Sequence, residues 1–378
     1  MGLLRVDENH RVPRLDLELT PGCDHACGHC YNVWGASKGD PQAGYQKGQL
    51  GGQAYLEMMD KVVGESGADH ITITGGEPLL HPDAMAIIEH ACASVSSVQI
   101  ITNGSHVTDE RAARFAAWGV RSVQLTLLSA DRERHNRLKG AACFDDTVRA
   151  IVTLREHQVP VQVCFVAMSE NNADFERVME LCYALGVRAL TYNRMSPTGG
   201  AIHHIAHLMP NADQVEAHLD IAERLGRLWK IQVATAMPIP PCLIRMERYK
   251  WVSFGFCSVG TESPNITVDA MGNVRSCNLS ANVLGNIVEQ DWASIHADPY
   301  LHTFKDQVPE MCRGCRYERS CQGGCKESGF ATFGDLTHPE PFVHLSRNPS
   351  WREQAGETIS QEPGAVPLSQ LSIGRARS

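Results

Sequence analysis

The sequence predicts an α/β protein built on a parallel sheet. Strand-like runs and helix-length stretches alternate from residue 15 to about residue 226. Six such repeats imply parallel strands joined by right-handed crossovers. A loop with three cysteines follows the first strand, and α/β barrels keep their functional loops at that end of their strands. An α/β barrel, or part of one, satisfies this pattern. A doubly wound open sheet satisfies the same periodicity.

The strands are expected at residues 15–20, 70–74, 97–102, 122–128, 161–168 and 189–193. Helices are expected near 53–66, 82–93, 108–117, 145–157, 174–185 and 212–229. Thr108 or Asp109, Asp145 and Asp174 suit helix starts, because short polar side chains can accept from free backbone N–H groups. Gly67, Gly119 and Gly186 stand where a left-handed stop is expected. Residues 35–52 form a glycine-rich polar loop expected to border the site. After Trp229 the repeat is expected to stop, and residues 239–327 are rich in cysteine, proline and turn residues. The expected organisation is a lead-in at 1–14, a barrel at 15–230, a cysteine-rich domain at 231–345 and a disordered tail at 346–378.

At 378 residues and 43% apolar content, the chain can bury one large core or two. A net charge of −9 without a basic run argues against nucleic acid as a partner. No apolar run approaches membrane-spanning length, and the first fourteen residues are mixed and polar, so a cytoplasmic protein is expected. Fourteen cysteines are many for a reducing compartment. Ten of them fall into ligand-like spacings, and Cys92, Cys143, Cys164 and Cys182 stand singly, as inert core thiols do.

Cys23, Cys27 and Cys30 are spaced C-x3-C-x2-C. Three thiolates suit three corners of a four-iron cubane and leave one iron open, whereas a cluster that only carries electrons wants four. Zinc sites more often pair C-x2-C knuckles with a fourth ligand, and disulfide frameworks belong to short secreted chains. The run Leu15-Asp16-Leu17-Glu18-Leu19-Thr20-Pro21-Gly22-Cys23 leads into this loop and resembles the first strand and cluster loop of the radical S-adenosylmethionine (radical SAM) superfamily. The resemblance implies a partial (β/α)6 barrel and a 4Fe–4S cluster whose open iron is chelated by SAM. It also implies reductive cleavage of SAM to a 5′-deoxyadenosyl radical, with electrons from a donor such as flavodoxin or ferredoxin.

The same resemblance assigns a SAM pocket. His29 holds the aromatic position of the cysteine loop, near adenine. Thr74-Gly75-Gly76-Glu77-Pro78 is similar to the family's GGEP motif, whose backbone and carboxylate hold the SAM amino group. Asn103 lies in a TNG-like strand end, and Thr126 falls where relatives place a serine near ribose and carboxylate. Arg137, in His135-Asn136-Arg137-Leu138-Lys139-Gly140, is the expected partner of the SAM carboxylate. Asn193 and Arg194 are expected at the adenine edge.

Cys257, Gly272 and Cys277, followed by Cys312-x2-Cys315-x5-Cys321-x3-Cys325, resemble the SPASM extension, which usually binds two auxiliary iron–sulfur clusters. By that resemblance Cys257, Cys277 and Cys325 hold auxiliary cluster I, with Cys242 the candidate fourth ligand. Cys312, Cys315 and Cys321 hold cluster II. The pattern's last cysteine is missing after Cys325, so cluster II is expected to have an open iron or to be completed by His338, His344 or Asp335.

Such proteins mostly modify ribosomally made peptides. The expectation is hydrogen abstraction from carbon of a peptide, giving oxidation, crosslinking or epimerisation. The alternative is a small-molecule dehydrogenase or epimerase. Only 22 residues precede Cys23, too few for the winged-helix leader-binding domain of many maturases, so leader recognition is expected to need a separate protein or to be absent. Cys143, Cys164 and Cys242 are candidate hydrogen donors, and the sequence names no general acid or base.

Overall fold

The structure is a computed structural model that describes residues 11–33 and 48–348. The expectations for residues 1–10, for 34–47 of the glycine-rich loop and for the tail from 349 lie outside the described residues.

Strand β1 is Arg14–Glu18. It is followed by α1 (Gly52–Ser66), β2 (His70–Thr74), α2 (Ala84–Ser94), β3 (Ser97–Thr102), α3 (Asp109–Ala117) and β4 (Ser122–Thr126). Next come α4 (Arg132–Lys139), α5 (Phe144–Glu156), β5 (Val161–Ala167), α6 (Phe175–Ala184) and β6 (Ala189–Arg194). A short α7 (Ile205–Leu208) and the long α8 (Ala212–Trp229) lead to β7 (Gln232–Thr235) and β8 (Val252–Phe254). The remainder is β9 (Asn265–Val268), β10 (Asn273–Arg275), β11 (Val283–Asn286), α9 (Trp292–His296), α10 (Pro299–Thr303), α11 (Glu318–Cys321), α12 (Lys326–Phe333) and α13 (Pro341–Arg347).

The strands form one sheet in the order β11-β10-β9-β1-β2-β3-β4-β5-β6-β7-β8. From β1 to β8 every pairing is parallel and sequential. A doubly wound sheet reverses its order at a switch point. Here the order never reverses, so right-handed crossovers carry the helices to one face and leave the other free. The terminal strands β11 and β8 are not paired with each other, which makes the barrel partial. Beyond β1, β9 pairs in parallel and β10 and β11 follow antiparallel.

The expectation that the repeat stops after Trp229 is corrected: β7 and β8 continue the parallel sheet. They are only four and three residues long, too short to announce a period. Helix α4, between β4 and α5, was also not anticipated. Gly67, Gly119 and Gly186 take the expected left-handed φ.

Alternation along each strand divides the sheet into two chemistries. Leu15, Leu17, Ile71, Ile73, Ile100, Val123, Leu125, Val163, Phe165, Leu190 and Tyr192 are buried, and one continuous apolar cluster includes them together with Ile266, Ile287, Trp292 and Phe342. Each such side chain contributes about 1.5–3 kcal/mol by burial, so this face holds the fold. Their neighbours on the other face are Asp16, Thr72, Gln99, Gln124, Gln162 and Thr191, and these line a cavity. In a closed α/β barrel the equivalent positions are branched apolar residues filling a core.

Candidate active site

The cysteine loop is pinned by backbone contacts to neighbouring loops as well as by its own turn, in which Cys30 N donates to Cys27 O (3.1 Å). Past β1, Leu19 N donates to Thr74 O (3.0 Å), Thr20 O accepts from Gly76 N (2.7 Å) and Gly22 O accepts from Glu77 N (2.8 Å). A Cβ on Gly76 would meet Gly22 O at 2.2 Å, so only glycine allows the two loops to lie this close. On the far side, Ala26 N donates to Lys139 O (3.2 Å), and the Cys27 thiol points at the same carbonyl (3.4 Å). Gly140 ends α4 at φ 60°, and a Cβ there would lie 2.4 Å from Ala26 O. Ala201 N closes the loop's exit by donating to Cys30 O (3.0 Å).

The loop faces a cavity of ≈ 1050 Å³. Of the expected site residues, Cys23, Cys27, Cys30, His29, Gly75, Gly76, Asn103, Thr126, Asn193 and Arg194 line it, as do Cys257, Cys277 and Cys325. Glu77, Pro78 and Arg137 do not. Glu77 is fully buried, accepting from Leu79 N (3.1 Å) and Thr102 Oγ1 (2.7 Å) at one oxygen and from Asn103 N (2.7 Å) at the other. The carboxylate, expected at the SAM amino group, organises the β2 and β3 loops from behind the cavity wall. Burial pushes its pKa up.

Arg137 is exposed, and the expectation that it faces the SAM carboxylate is corrected too. Residues two apart on a helix point about 200° apart at 3.6 residues per turn. Lys139, two positions on, is 4% exposed and lines the cavity. It is a cation that sequence reasoning missed because α4 itself was not delineated.

His29 lines the cavity, and its Nδ1 is buried without a hydrogen-bond partner. Burial, reinforced by the Lys139 charge, lowers its pKa to about 3, so the ring is neutral. Asn103 and Asn193 reach the wall but have partners of their own. Asn103 Nδ2 donates to Asp24 Oδ1 (2.7 Å), and Asn193 Oδ1 accepts from Ala236 N and Met237 N (3.1 Å each). Arg194 pairs with Glu340, donates to Pro238 O (3.1 Å) and lies over the Phe342 ring (4.6 Å), which ties the end of β6 to α13.

The polar face of the sheet forms the cavity floor. Gln99 Nε2 donates to Gln162 Oε1 (2.8 Å), Gln162 Nε2 to Thr191 Oγ1 (2.5 Å) and Thr191 Oγ1 to Gln124 Oε1 (3.2 Å). This chain of amides was visible in the apolar–polar alternation of 97–102, 122–126 and 161–164, since doubly buried parallel strands read as continuous apolar runs. Cys164 lies on the same floor, whereas Cys92, Cys143 and Cys182 do not.

A second, smaller cavity is lined by Cys242, Cys312, Cys315 and Cys321 among Pro240, Pro241, Met311, Pro339 and Val343. The expected grouping of Cys242 with Cys257, Cys277 and Cys325 is corrected. After β7 the prolines lead the chain away from the large cavity, and Leu243 N donates to Pro240 O (3.0 Å) to close a turn that carries Cys242 outward. His338, His344 and Asp335 do not line either cavity. His338 and His344 instead pack on the Phe333 ring, at 5.2 and 4.9 Å.

Among the described residues no three His, Cys, Asp or Glu side chains converge closely enough to hold a single ion. A cuboidal cluster spreads its thiolates over separate irons and so spaces them wider than one ion does. Three thiols on one loop, beside a neutral imidazole with a free nitrogen and a buried ammonium, are a donor set that suits such a cluster and a zwitterionic ligand. Among the described residues no helix is long and apolar enough to cross a membrane.

Comparison with known proteins agrees with this geometry. The description of the Radical SAM superfamily matches residues 17–182, and that of SPASM, an iron-sulfur cluster-binding domain, matches residues 257–316. The chain is 26% identical over 368 residues to the PqqA peptide cyclase of Methylocella silvestris, covering 94% of each. It is 26% identical over 351 residues to the AdoMet-dependent heme synthase of Methanosarcina barkeri, covering 88% of this chain and 96% of that one. In fold it is similar to Streptococcus suis SuiB bound to S-adenosylmethionine, with a TM-score of 0.69 at 14% identity over 88% of this chain and 77% of that one. Residues 17–182 are a radical SAM domain and residues 257–316 a SPASM domain, and the chain is an enzyme that uses SAM with a 4Fe–4S cluster and auxiliary iron–sulfur centres.

Proposed function

We propose that this chain is a peptide maturase that removes hydrogen from a carbon of a peptide substrate and leaves it oxidised, crosslinked or epimerised. The observation that carries the reading is the single cavity that runs from Cys23, Cys27 and Cys30 over a floor of side-chain amides to Cys257, Cys277 and Cys325. Glutamines and threonines on that floor present donors and acceptors that can exchange their mutual bonds for those of peptide amides. The end-to-end similarity to PqqA peptide cyclase supports the same reading.

On this reading Cys23, Cys27 and Cys30 hold the cluster, and Lys139 faces the SAM carboxylate by a charge-assisted contact. The Gly75–Gly76 backbone and the neutral His29 ring shape the remainder of the SAM site. When bound, the cluster and SAM supply a carbon radical able to take hydrogen from an unactivated C–H bond. The chain's own residues position the substrate and exclude water. A one-electron donor such as flavodoxin or ferredoxin is the implied partner, in the cytoplasm.

The second reading, a small-molecule enzyme, is favoured by the similarity to AdoMet-dependent heme synthase. A flat macrocycle offers no row of amides to exchange hydrogen bonds with this floor, as a peptide backbone does. The test is anaerobic incubation of reconstituted enzyme, SAM and reductant with short peptides encoded beside its gene, with and without any leader-binding protein encoded there. Loss of hydrogen mass or uptake of solvent deuterium in a peptide is expected, together with 5′-deoxyadenosine. 5′-Deoxyadenosine with every peptide unchanged, and turnover of a tetrapyrrole instead, would overturn the peptide reading.

A further inference from the structure

The ten ligand-spaced cysteines are divided unevenly between the two cavities. The large one has two trios, Cys23, Cys27 and Cys30 and then Cys257, Cys277 and Cys325. The small one has four, because Cys242 joins Cys312, Cys315 and Cys321. We infer that one auxiliary cluster is closed by the four thiolates of Cys242, Cys312, Cys315 and Cys321, while the other has only Cys257, Cys277 and Cys325 and turns an open iron toward the active-site cavity. This rests on the reading that the chain carries two auxiliary clusters.

The wall around the quartet is otherwise largely apolar, with Pro240, Pro241, Met311 and Val343, as befits a closed centre that only passes electrons. The backbone there folds about the sulfurs. Cys315 N donates to Cys312 O (3.1 Å), Cys321 N to Tyr317 O (2.8 Å) and Tyr317 N to Cys315 Sγ (3.4 Å).

No other cysteine is placed to complete the trio. Cys92, Cys143 and Cys182 line neither cavity. Cys164 faces the large cavity from β5, where its sulfur accepts from Asn193 Nδ2 (3.9 Å). Glu327 lines the same cavity, but its Oε1 already accepts from Ser276 Oγ (3.0 Å) and Tyr300 OH (2.7 Å), so the fourth position at the trio is left to an exchangeable donor, either water or a thiolate, imidazole or carboxylate of the substrate. That puts the substrate's binding group and the SAM site in one chamber.

The assignment can be tested without turnover, using the full chain with Cys23, Cys27 and Cys30 replaced by alanine so that only auxiliary clusters load. Isotopically labelled cyanide is the probe, read by its hyperfine coupling in electron paramagnetic resonance. With Cys312 and Cys315 also replaced by alanine, the remaining cluster is expected to couple to cyanide. With Cys257 and Cys277 replaced instead, the remaining cluster is expected to show no coupling until Cys242→Ala is added. Cyanide coupling in the Cys257/Cys277 variant before that step would overturn the inference. Iron anomalous scattering from crystals of the reconstituted wild-type chain gives an answer independent of variant folding: Cys242 bonded to the cluster of Cys312 supports it, and Cys242 bonded to the cluster of Cys257 overturns it. Absence of auxiliary iron and sulfide from the variant without Cys23, Cys27 and Cys30 would instead overturn the two-cluster reading beneath it.

Discussion

Lys139 and Arg137 stand two positions apart on α4, and only the first is turned toward the cavity. A charge-assisted hydrogen bond contributes about 1.5–3 kcal/mol, so Lys139→Met is expected to weaken SAM binding by roughly tenfold or more, and Arg137→Met to leave it unchanged. Equilibrium dialysis with labelled SAM reads the difference, and the reverse ranking would refute the role given to Lys139. The histidines near the site make a second prediction. Burial first, and then the Lys139 charge, lowers His29 and His135 to about 3 and His25 to about 4 from an ordinary 6.5. Below pH 6.5 the unfolded chain binds protons that the folded chain refuses, so stability is full above that value and is lost as pH falls toward 3. Each such group gives a slope of up to about 1.4 kcal/mol per pH unit in mid-window. Urea midpoints of the cluster-free chain between pH 7 and 5 should show it, and His135→Gln should lower the slope by about one such share. At this scale the thiol spacings and the Gly-Gly-Glu-Pro turn were legible because they are local. The side of α4 that faces inward was not, because the rotation of a helix is settled by what it packs against.

Elements with strong period-two alternation between turn residues, such as β2 and β3, were legible to the residue: both were expected at the bounds observed. Caps were legible where the side chain had no better partner. Thr108 Oγ1 accepts from Arg111 N (3.2 Å) as expected of a helix start, but Asp174 makes no cap bond and instead pairs with Arg134 (3.0 Å). The contacts between loops were hidden, since they join segments far apart in the chain. Gly76→Ala puts a methyl against the Gly22 carbonyl, so the cysteine loop must shift. The variant is expected to retain less than half the wild-type iron at the SAM cluster after reconstitution. Gly119→Ala, whose Cβ would meet open space, should lose only the roughly 1 kcal/mol of a strained left-handed residue and keep its iron.

For the whole molecule, the decisive ties are buried ion pairs between distant segments. Arg275 on β10 reaches Glu18 at the end of β1 (2.7 Å), and Arg194 reaches Glu340, 146 positions away. Nothing in the local pattern around either arginine announces its partner, and the same distance in sequence hid the passage of Cys242 to the second cavity. Removing one member of a buried pair strands the other, at about 3–5 kcal/mol. Glu340→Ala is therefore expected to lower the melting temperature by several degrees or more, and an exposed pair such as Arg114 with Glu110 (2.7 Å) should be dispensable when mutated in the same way. A Glu340→Ala protein that melts with the wild type would refute the tie.

The placement of β1 between β2 and β9 bears on how the chain emerges from the ribosome. One flank of β1 finds its partner as soon as His70–Thr74 is synthesised, but the other waits for Asn265–Val268. Throughout that interval the nascent protein carries a naked row of peptide groups beside its reactive thiols, open to wrong neighbours and to oxygen. Chaperone cover and late metallation, after translation has passed β9, are the natural remedies for a fold whose first strand must wait for Asn265–Val268 to be completed.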